Sequence, residues 1–281
     1  MLDRIITGIL LTILFLGFIL YLPLYYTGLI FTIISLYGFY EWLKISKNTN
    51  KSIILNLIAM IVIMISLLLY YNHTTVRILS YLSFIIWLFI LLDIYFGSKI
   101  YKKLLINYSS SIGLFMITVT WFLIMSLGST SSASVIEDNQ YLLFSMTDSN
   151  IRIYLLSLIT VISLSDASGY FFGKIFGNAK LCEDISPNKT IVGFIGSLMV
   201  PIIFFILLFT FILNKPYMIE DLLFMLLCCI YCTVGDLFMS IYKRFRNVKD
   251  TGSILPGHGG ILDRVDSYLP TVSIFQIWLF L

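Results

Sequence analysis

Charge is scarce in this sequence. Asp, Glu, Lys and Arg make up 12% of its 281 residues, while apolar types make up 59%. Those proportions lie far outside the soluble range and exclude an ordinary water-soluble domain. The chain has no linker, low-complexity tract or clear internal repeat, so one domain spanning 1–281 is the economical expectation. Cysteine is sparse too: Cys182, Cys228, Cys229 and Cys232. Zinc sites usually draw on two spaced pairs of soft ligands, and three of these thiols fall inside one apolar run, so packing is their expected role. No segment concentrates enough Lys and Arg to grip a nucleic acid, and none is expected as a partner.

What is abundant is apolar sequence in lengths that suit a bilayer, whose hydrocarbon core takes about 20 helical residues to cross. Nine runs qualify: approximately Ile5–Leu22, Leu24–Leu43, Ile53–Tyr71, Val76–Phe96, Leu104–Leu127, Ile151–Phe172, Ile191–Leu213, Ile219–Tyr242 and Val265–Leu281. The sequence therefore predicts an all-α, polytopic integral membrane protein. The first run lacks a polar small-residue cleavage region and a second run follows at once, so it is read as a retained helix rather than a signal peptide.

Placing the 18 Lys and Arg residues on alternate sides of nine spans tests that count. Arg4, Lys44, Lys47, Lys51, Lys99, Lys102, Lys103, Lys174, Lys180, Lys189, Lys243, Arg244, Arg246, Lys249 and Arg264 fall on one side, and only Arg77, Arg152 and Lys215 on the other. Positive charge marks cytoplasmic loops, so the N-terminus is expected inside and the C-terminus outside. The long outer segment from Gly128 to Asn150 has no Lys or Arg and three acids, Glu137, Asp138 and Asp148. It is expected to take no part in chemistry. Motif content is weak over 1–130. Residues 151–281 read as a catalytic half with cytoplasmic loops at 173–190 and 243–264.

Ionisable groups in or beside membrane helices are costly, and each is a candidate for function. Glu41 and Asp93 sit near helix ends close to lysines, where an interfacial pair or a solvated end is explanation enough. Asp166 lies among Ser163, Ser165, Ser168 and Gly169, which suits either a functional carboxylate or a small-residue packing seam with neighbouring hydroxyls satisfying the acid. Ser186, Pro187, Lys189 and Thr190 read as turn chemistry ahead of a helix N-terminus, a natural place for a phosphate.

Asp236, Ser240 and Lys243 are spaced i, i+4, i+7 and so share one helix face. Beyond them come Lys249 and Asp250, then Gly257, His258, Gly259 and Gly260, then Asp263, Arg264 and Asp266. Glycines let backbone N–H groups close around an anion, so this loop is a candidate phosphate nest. Carboxylates at Asp236 and Asp263 amid basic residues fit a site where Mg²⁺ bridges phosphate oxygens. His258 is better suited to hydrogen bonding than to proton abstraction, because a phosphate nucleophile is already an anion. A plain topology-anchoring loop would explain the lysines but not the glycines, His258 and interleaved aspartates.

Ser240, Lys243, Arg244, Lys249, Asp250, Gly252, Pro256, His258, Gly259, Gly260, Asp263, Arg264 and Asp266 together resemble the signature of the phosphatidate cytidylyltransferases, also called CDP-diacylglycerol synthases. Asp166 to Gly177 is similar to that family's aspartate, small-residue, tyrosine and glycine pattern, and Ser186, Pro187, Lys189, Thr190 and Gly193 to its Ser-Pro-x-Lys-Thr loop. The resemblance implies that CTP and phosphatidic acid give CDP-diacylglycerol and pyrophosphate at the cytoplasmic face of a bacterial inner membrane. It implies Mg²⁺, sometimes with K⁺ as a second cation, held by Asp236 and Asp263. It further implies Lys243, Lys249 and His258 in the catalytic machinery, and Ser240, Arg244, Arg264, Gly259, Gly260, Lys189, Ser186 and Asp166 around substrate. A homodimer is an option that the family offers. Met239 stands where the family has an acid, and Val192 where it commonly has a polar residue. Other readings are a transporter with Asp166 and Asp236 on an ion path, a cytidylyltransferase for an archaeal-type ether lipid, a CTP-dependent polyprenol kinase, or an inactive lipid-binding scaffold. Against the transporter stand the clustering of polar residues on one side and the missing inverted repeat.

Overall fold

A computed structural model describes residues 17–96, 100–127, 148–182, 186–212, 218–254 and 259–280. Nearly all of it is helical. In chain order the helices are α1 (Leu24–Ile45), α2 (Asn50–Leu69), α3 (His73–Phe96), α4 (Ile100–Ser126), α5 (Asp148–Phe176), α6 (Ile191–Leu207), α7 (Ile219–Phe245), α8 (Leu262–Val265) and α9 (Tyr268–Trp278). A single π-helical turn, Leu208–Ile212, prolongs α6, and two short strands, β1 (Lys180–Cys182) and β2 (Ser186–Thr190), precede it. Among the described residues, six helices are long and apolar enough to cross a membrane: α1, α2, α3, α4 from Asn107, α5 from Tyr154, and α7. With no water at that depth to satisfy backbone groups, helices are the form such runs must take.

Of the first predicted span, residues 17–21 are helical, Leu22 follows them as a bend, and residues 5–16 lie outside the described residues. Arg152 ties this segment to α5 by donating to the carbonyls of Ile19 and Leu22, so its charge is used on backbone oxygens that a helix end leaves unpaired. The segment 128–150, expected on the outer side, is described only where it opens α5. The predicted ninth span is not one helix: α8 and α9 are separate pieces around Asp266 and Ser267. Pro270 has no N–H to return to the carbonyl of Asp266, and it sits comfortably in the first turn of a new helix. At eleven residues, α9 is also too short to cross a bilayer.

α9 occupies the middle of the bundle, packed against α7, α3 and α4, with every residue from Leu269 to Ile277 buried. Apart from the buried Gln276, its residues from Leu269 to Ile277 are apolar or small on all sides, as suits a helix without a solvent or lipid face. α1 packs on α4, while α5 and α6 pair closely and lie together against α7. Gly169, Gly173 and Gly193 make that closeness possible: a Cβ on Gly193 would meet the backbone of Gly173 at 3.1 Å. On α2, Ile54, Leu55 and Ile58 are exposed, an apolar face suited to hydrocarbon.

Cys228, Cys229 and Cys232 are buried in the core as free thiols. Met239 is also fully buried. It shares a helix with Asp236, but its side chain belongs to the core cluster and not to the half-exposed surface that carries Asp236.

α1 and α7 end in the same way. Lys47 and Asn247 take the left-handed conformation, and the amides of Asn48 and Val248 reach back to the carbonyls of Leu43 and Lys243 at 3.3 and 3.0 Å. These closures absorb helix-end carbonyls and turn the chain sharply. Just before them, Trp42 stacks on Tyr242 with centroids 4.2 Å apart, and the Tyr242 hydroxyl lies 2.5 Å from Ser46 Oγ and 2.7 Å from Ser109 Oγ. Tyr242→Phe keeps the stack and loses the hydroxyl. It is expected to cost about 1 kcal/mol, read as a fall of about 2–4 °C in the thermal midpoint of detergent-purified protein.

Candidate active site

Gly235 sets the site by letting α7 and α9 cross closely. A Cβ there would overlap the Asp266 carbonyl and lie 2.9 Å from Pro270 Cδ. The next residue, Asp236, therefore emerges beside the α8–α9 break. Its Oδ2 pairs with Lys189 Nζ at 2.6 Å, and Ser240 Oγ lies 3.5 Å from Oδ1. Lys189 arrives on β2, whose antiparallel pairing with β1 matches Lys180 to Thr190 and Cys182 to Ser186. The segment read as a turn is thus half of a hairpin, because backbone near a membrane must find partners even over three to five residues. Its end behaves as expected: the Thr190 side chain accepts from the Gly193 amide at 3.1 Å and caps α6. The flanking loops are shorter than predicted, with α5 running through Phe176 and α7 through Phe245.

Lys243 does not join Asp236. Its ammonium pairs with Asp263 Oδ1 at 2.6 Å. The other oxygen of Asp263 accepts from the amide and hydroxyl of Thr251, at 2.8 and 3.0 Å, and from the Gly260 amide at 3.0 Å. Burial pushes this carboxyl up, but the Lys243 hydrogen bond, the Thr251 amide, the charge of Lys243 and the Gly260 amide outweigh it and hold the group below the usual carboxylate range.

The two ion pairs differ in kind. Lys189 and Asp236 are 22% and 38% exposed, a partly solvated pair worth at most about 1 kcal/mol and easily exchanged for another partner. Lys243 and Asp263 are 15% and 7% exposed with every oxygen engaged, so separating them leaves a buried charge uncompensated.

Glu41 is where the sequence reading fails most clearly. It is 2% exposed rather than solvated, and it accepts from the Ile261 amide at 3.2 Å, the Leu262 amide at 2.8 Å and the Thr251 hydroxyl at 3.1 Å. Lys44 instead lies over the Tyr40 ring. Asp93 is likewise buried, accepting from the Ile100 amide at the head of α4. The signal for both was an isolated acid in an apolar run; for Glu41 it could not reveal partners more than 200 residues away. In the described part of the glycine loop, the amides of Thr251, Gly260, Ile261 and Leu262 close around Asp263 and Glu41, the protein's own anions. Gly259 has a φ of 83° that favours glycine.

Asp166 is exposed on α5, and its neighbouring serines do not satisfy it: Ser168 bonds back to Leu164 and Ser165. Its contacts come from α7 and from the break between α8 and α9: Cys232 Sγ at 3.4 Å and Ser267 Oγ at 3.4 and 3.5 Å. Arg244, Lys249 and Arg264 are exposed around the same end of α7, and Ser186 opens β2. His258 lies outside the described residues, as do Pro256 and Gly257.

No group of three His, Cys, Asp or Glu side chains among the described residues is close enough to hold a metal unaided. The donor set nevertheless suits Mg²⁺, which takes one or two carboxylates and completes its shell with phosphate and water. Asp236 fits, with one oxygen carrying only a 3.5 Å contact and the other an exchangeable ammonium. Asp263 would first have to release Lys243.

The whole described arrangement falls within a match, over residues 2–281, to the model of the Cytidylyltransferase family. Among curated proteins, the chain is 41% identical over 139 residues to a phosphatidate cytidylyltransferase of Staphylococcus haemolyticus, covering 50% of this chain and 54% of that one. It is 43% identical over 117 residues to the phosphatidate cytidylyltransferase of Bacillus subtilis, covering 41% and 43%. For that of Staphylococcus aureus strain COL the identity is 41% over 126 residues, covering 45% and 48%. The matches span about half the length of these curated relatives.

Proposed function

The chain belongs to the cytidylyltransferase family, and from that premise we propose that it transfers CMP from CTP to phosphatidic acid, giving CDP-diacylglycerol and pyrophosphate for phospholipid synthesis. The observation that carries this reading is the exchangeable pair of Lys189 on β2 and Asp236 within α7. It sets a cation and a carboxylate side by side, as an anionic nucleotide with its metal needs, and Arg244, Lys249 and Arg264 are exposed elsewhere on the same half of the chain.

In the reaction a phosphate oxygen of the lipid attacks the α-phosphorus of CTP, forming the new P–O bond as the bond to the β-phosphate breaks. Lys189, freed from Asp236, turns to the triphosphate, and Arg244, Lys249 and Arg264 neutralise it and the lipid headgroup. Lys243 stays on Asp263 and presents its remaining N–H donors to the phosphates. Asp236 would hold Mg²⁺, and Asp263 joins it only by giving up Lys243; when bound, the ion offsets charge on the phosphate oxygens. K⁺ as a second cation, His258 as a hydrogen-bond donor, Ser186, Ser240, Gly259 and Gly260 against substrate, and a homodimer are further parts of the reading.

The same reading puts the site at the cytoplasmic face of a bacterial inner membrane, where CTP is dissolved and phosphatidic acid presents its headgroup. The topology has nine crossings, the N-terminus inside and the C-terminus outside, with residues 265–281 making the last one and Asp263 in the cytoplasmic loop before it. The lopsided Lys and Arg distribution supports that orientation.

The test is purified protein in detergent with CTP, phosphatidic acid and Mg²⁺, scored for pyrophosphate and a CDP-lipid. Product is expected, and it should vanish with chelator and in Asp236→Asn. Well-folded protein that makes none would overturn the assignment.

A further inference from the structure

Glu41 takes no part in the reaction proposed above, yet it is among the most committed carboxylates of the described residues. It comes from α1, in the half of the chain with the weakest motif content, and accepts from Ile261, Leu262 and Thr251 in the glycine-rich loop. The loop is shaped to receive it. A Cβ on Gly252 would overlap Glu41 Oε1, and one on Gly260 would stand 2.5 Å from Oε2. Two glycines therefore form the slot, and two amides with one hydroxyl form the donors.

We propose that Glu41 is a positioning residue for the transfer site: its buried carboxylate is the fixed anion that holds residues 251–252 against residues 260–262, and these in turn place Asp263 and Lys243. The inference rests on the functional reading for the word "transfer" but on geometry alone for the loop. Thr251 links the two layers directly. Its hydroxyl lies 3.1 Å from Glu41 Oε2 and 3.0 Å from Asp263 Oδ2, and its amide also bonds Asp263. The two carboxylates thus share one threonine, and Asp263 holds Lys243. A charged acceptor suits this place because every group facing it is a donor. An amide in its stead must turn its own N–H groups toward the amide N–H of Ile261 or that of Leu262.

Full-length wild type, Glu41→Gln and Glu41→Ala in detergent would be compared by amide hydrogen exchange and by CDP-lipid formation. Exchange over 251–265 is expected to quicken about tenfold in the Gln variant, corresponding to ~1.4 kcal/mol, and further in the Ala variant, with α5 and α6 unchanged. Turnover should fall in the same order while the KM for CTP moves less than about threefold, because Arg244, Lys249 and Lys189 gather the nucleotide without help from Glu41. Exchange that rises equally throughout the chain would make Glu41 a general stability residue and overturn the proposal. Unchanged loop exchange and unchanged turnover in both variants would overturn it as well. If the wild type makes no CDP-lipid, the functional reading fails by itself, and the exchange arm still decides whether Glu41 orders the loop.

Discussion

Asp263→Asn is expected to abolish CDP-lipid formation and also to lower the thermal midpoint by about 6–12 °C, whereas Asp236→Asn abolishes formation and leaves the midpoint within about 2 °C. The contrast follows from the company each carboxylate keeps. Asp263 Oδ1 faces an ammonium and Oδ2 faces three donors. An amide group must aim its N–H₂ at one set or the other, so Lys243 is left uncompensated in a partly buried place, or Thr251 and Gly260 lose their acceptor. Breaking a buried pair in this way costs about 3 kcal/mol. Asp236 is half-exposed, and its lysine can turn to water. The stability difference should also depend on pH. Because the folded carboxyl is held below its ordinary value, its contribution is complete above that ordinary value and is lost as pH falls through the lower folded one. Thermal melts of both variants from neutral pH to strongly acid pH check this, and equal destabilisation by the two substitutions would remove the distinction.

Gly260→Ala should be nearly as damaging. The added methyl would overlap Thr251 Oγ1 and lie 2.5 and 2.6 Å from the two oxygens of Glu41. Those oxygens cannot withdraw, since they are pinned by Ile261 and Leu262 and walled by Gly252. Overpacking of this kind costs about 1–3 kcal/mol, and misplacing a reacting group by about 1 Å slows turnover about 100-fold. Gly38→Ala is the matched control: its methyl would meet only Leu262 Cδ1 at 3.8 Å, and alanine favours the helix by up to about 1 kcal/mol. Assay and melt of the two variants side by side should separate a glycine required for space from one that merely occurs in a helix.

Much of this was legible in the residues. Apolar runs located the long helices to within a few positions, and the i, i+4 spacing brought Ser240 near Asp236. The run ahead of Gly193 announced a helix start, and Thr190 caps it. What was not legible involved contacts distant in sequence. Nothing near Glu41 tells that a loop 210 residues later will wrap it. Lys243 was read with Asp236 because they share a helix face, but Asp263 offers a more buried partner and takes it. The break before α9 was masked by the continuous apolarity of its sequence, in which Pro270 was a small signal. The hairpin of β1 and β2 is too short for an alternating pattern to declare itself.

The burial of α9 on every side has a consequence for how the protein is made. It follows all other described helices in the chain, yet it is the one they surround. As synthesis proceeds from the N-terminus, α1 to α7 are made before the piece that fills their centre exists. The early bundle must therefore remain loose, with a slot bordered by α3, α4 and α7, until α9 arrives. Completion of the fold and of the site beside Asp236 is then a single late event in biosynthesis.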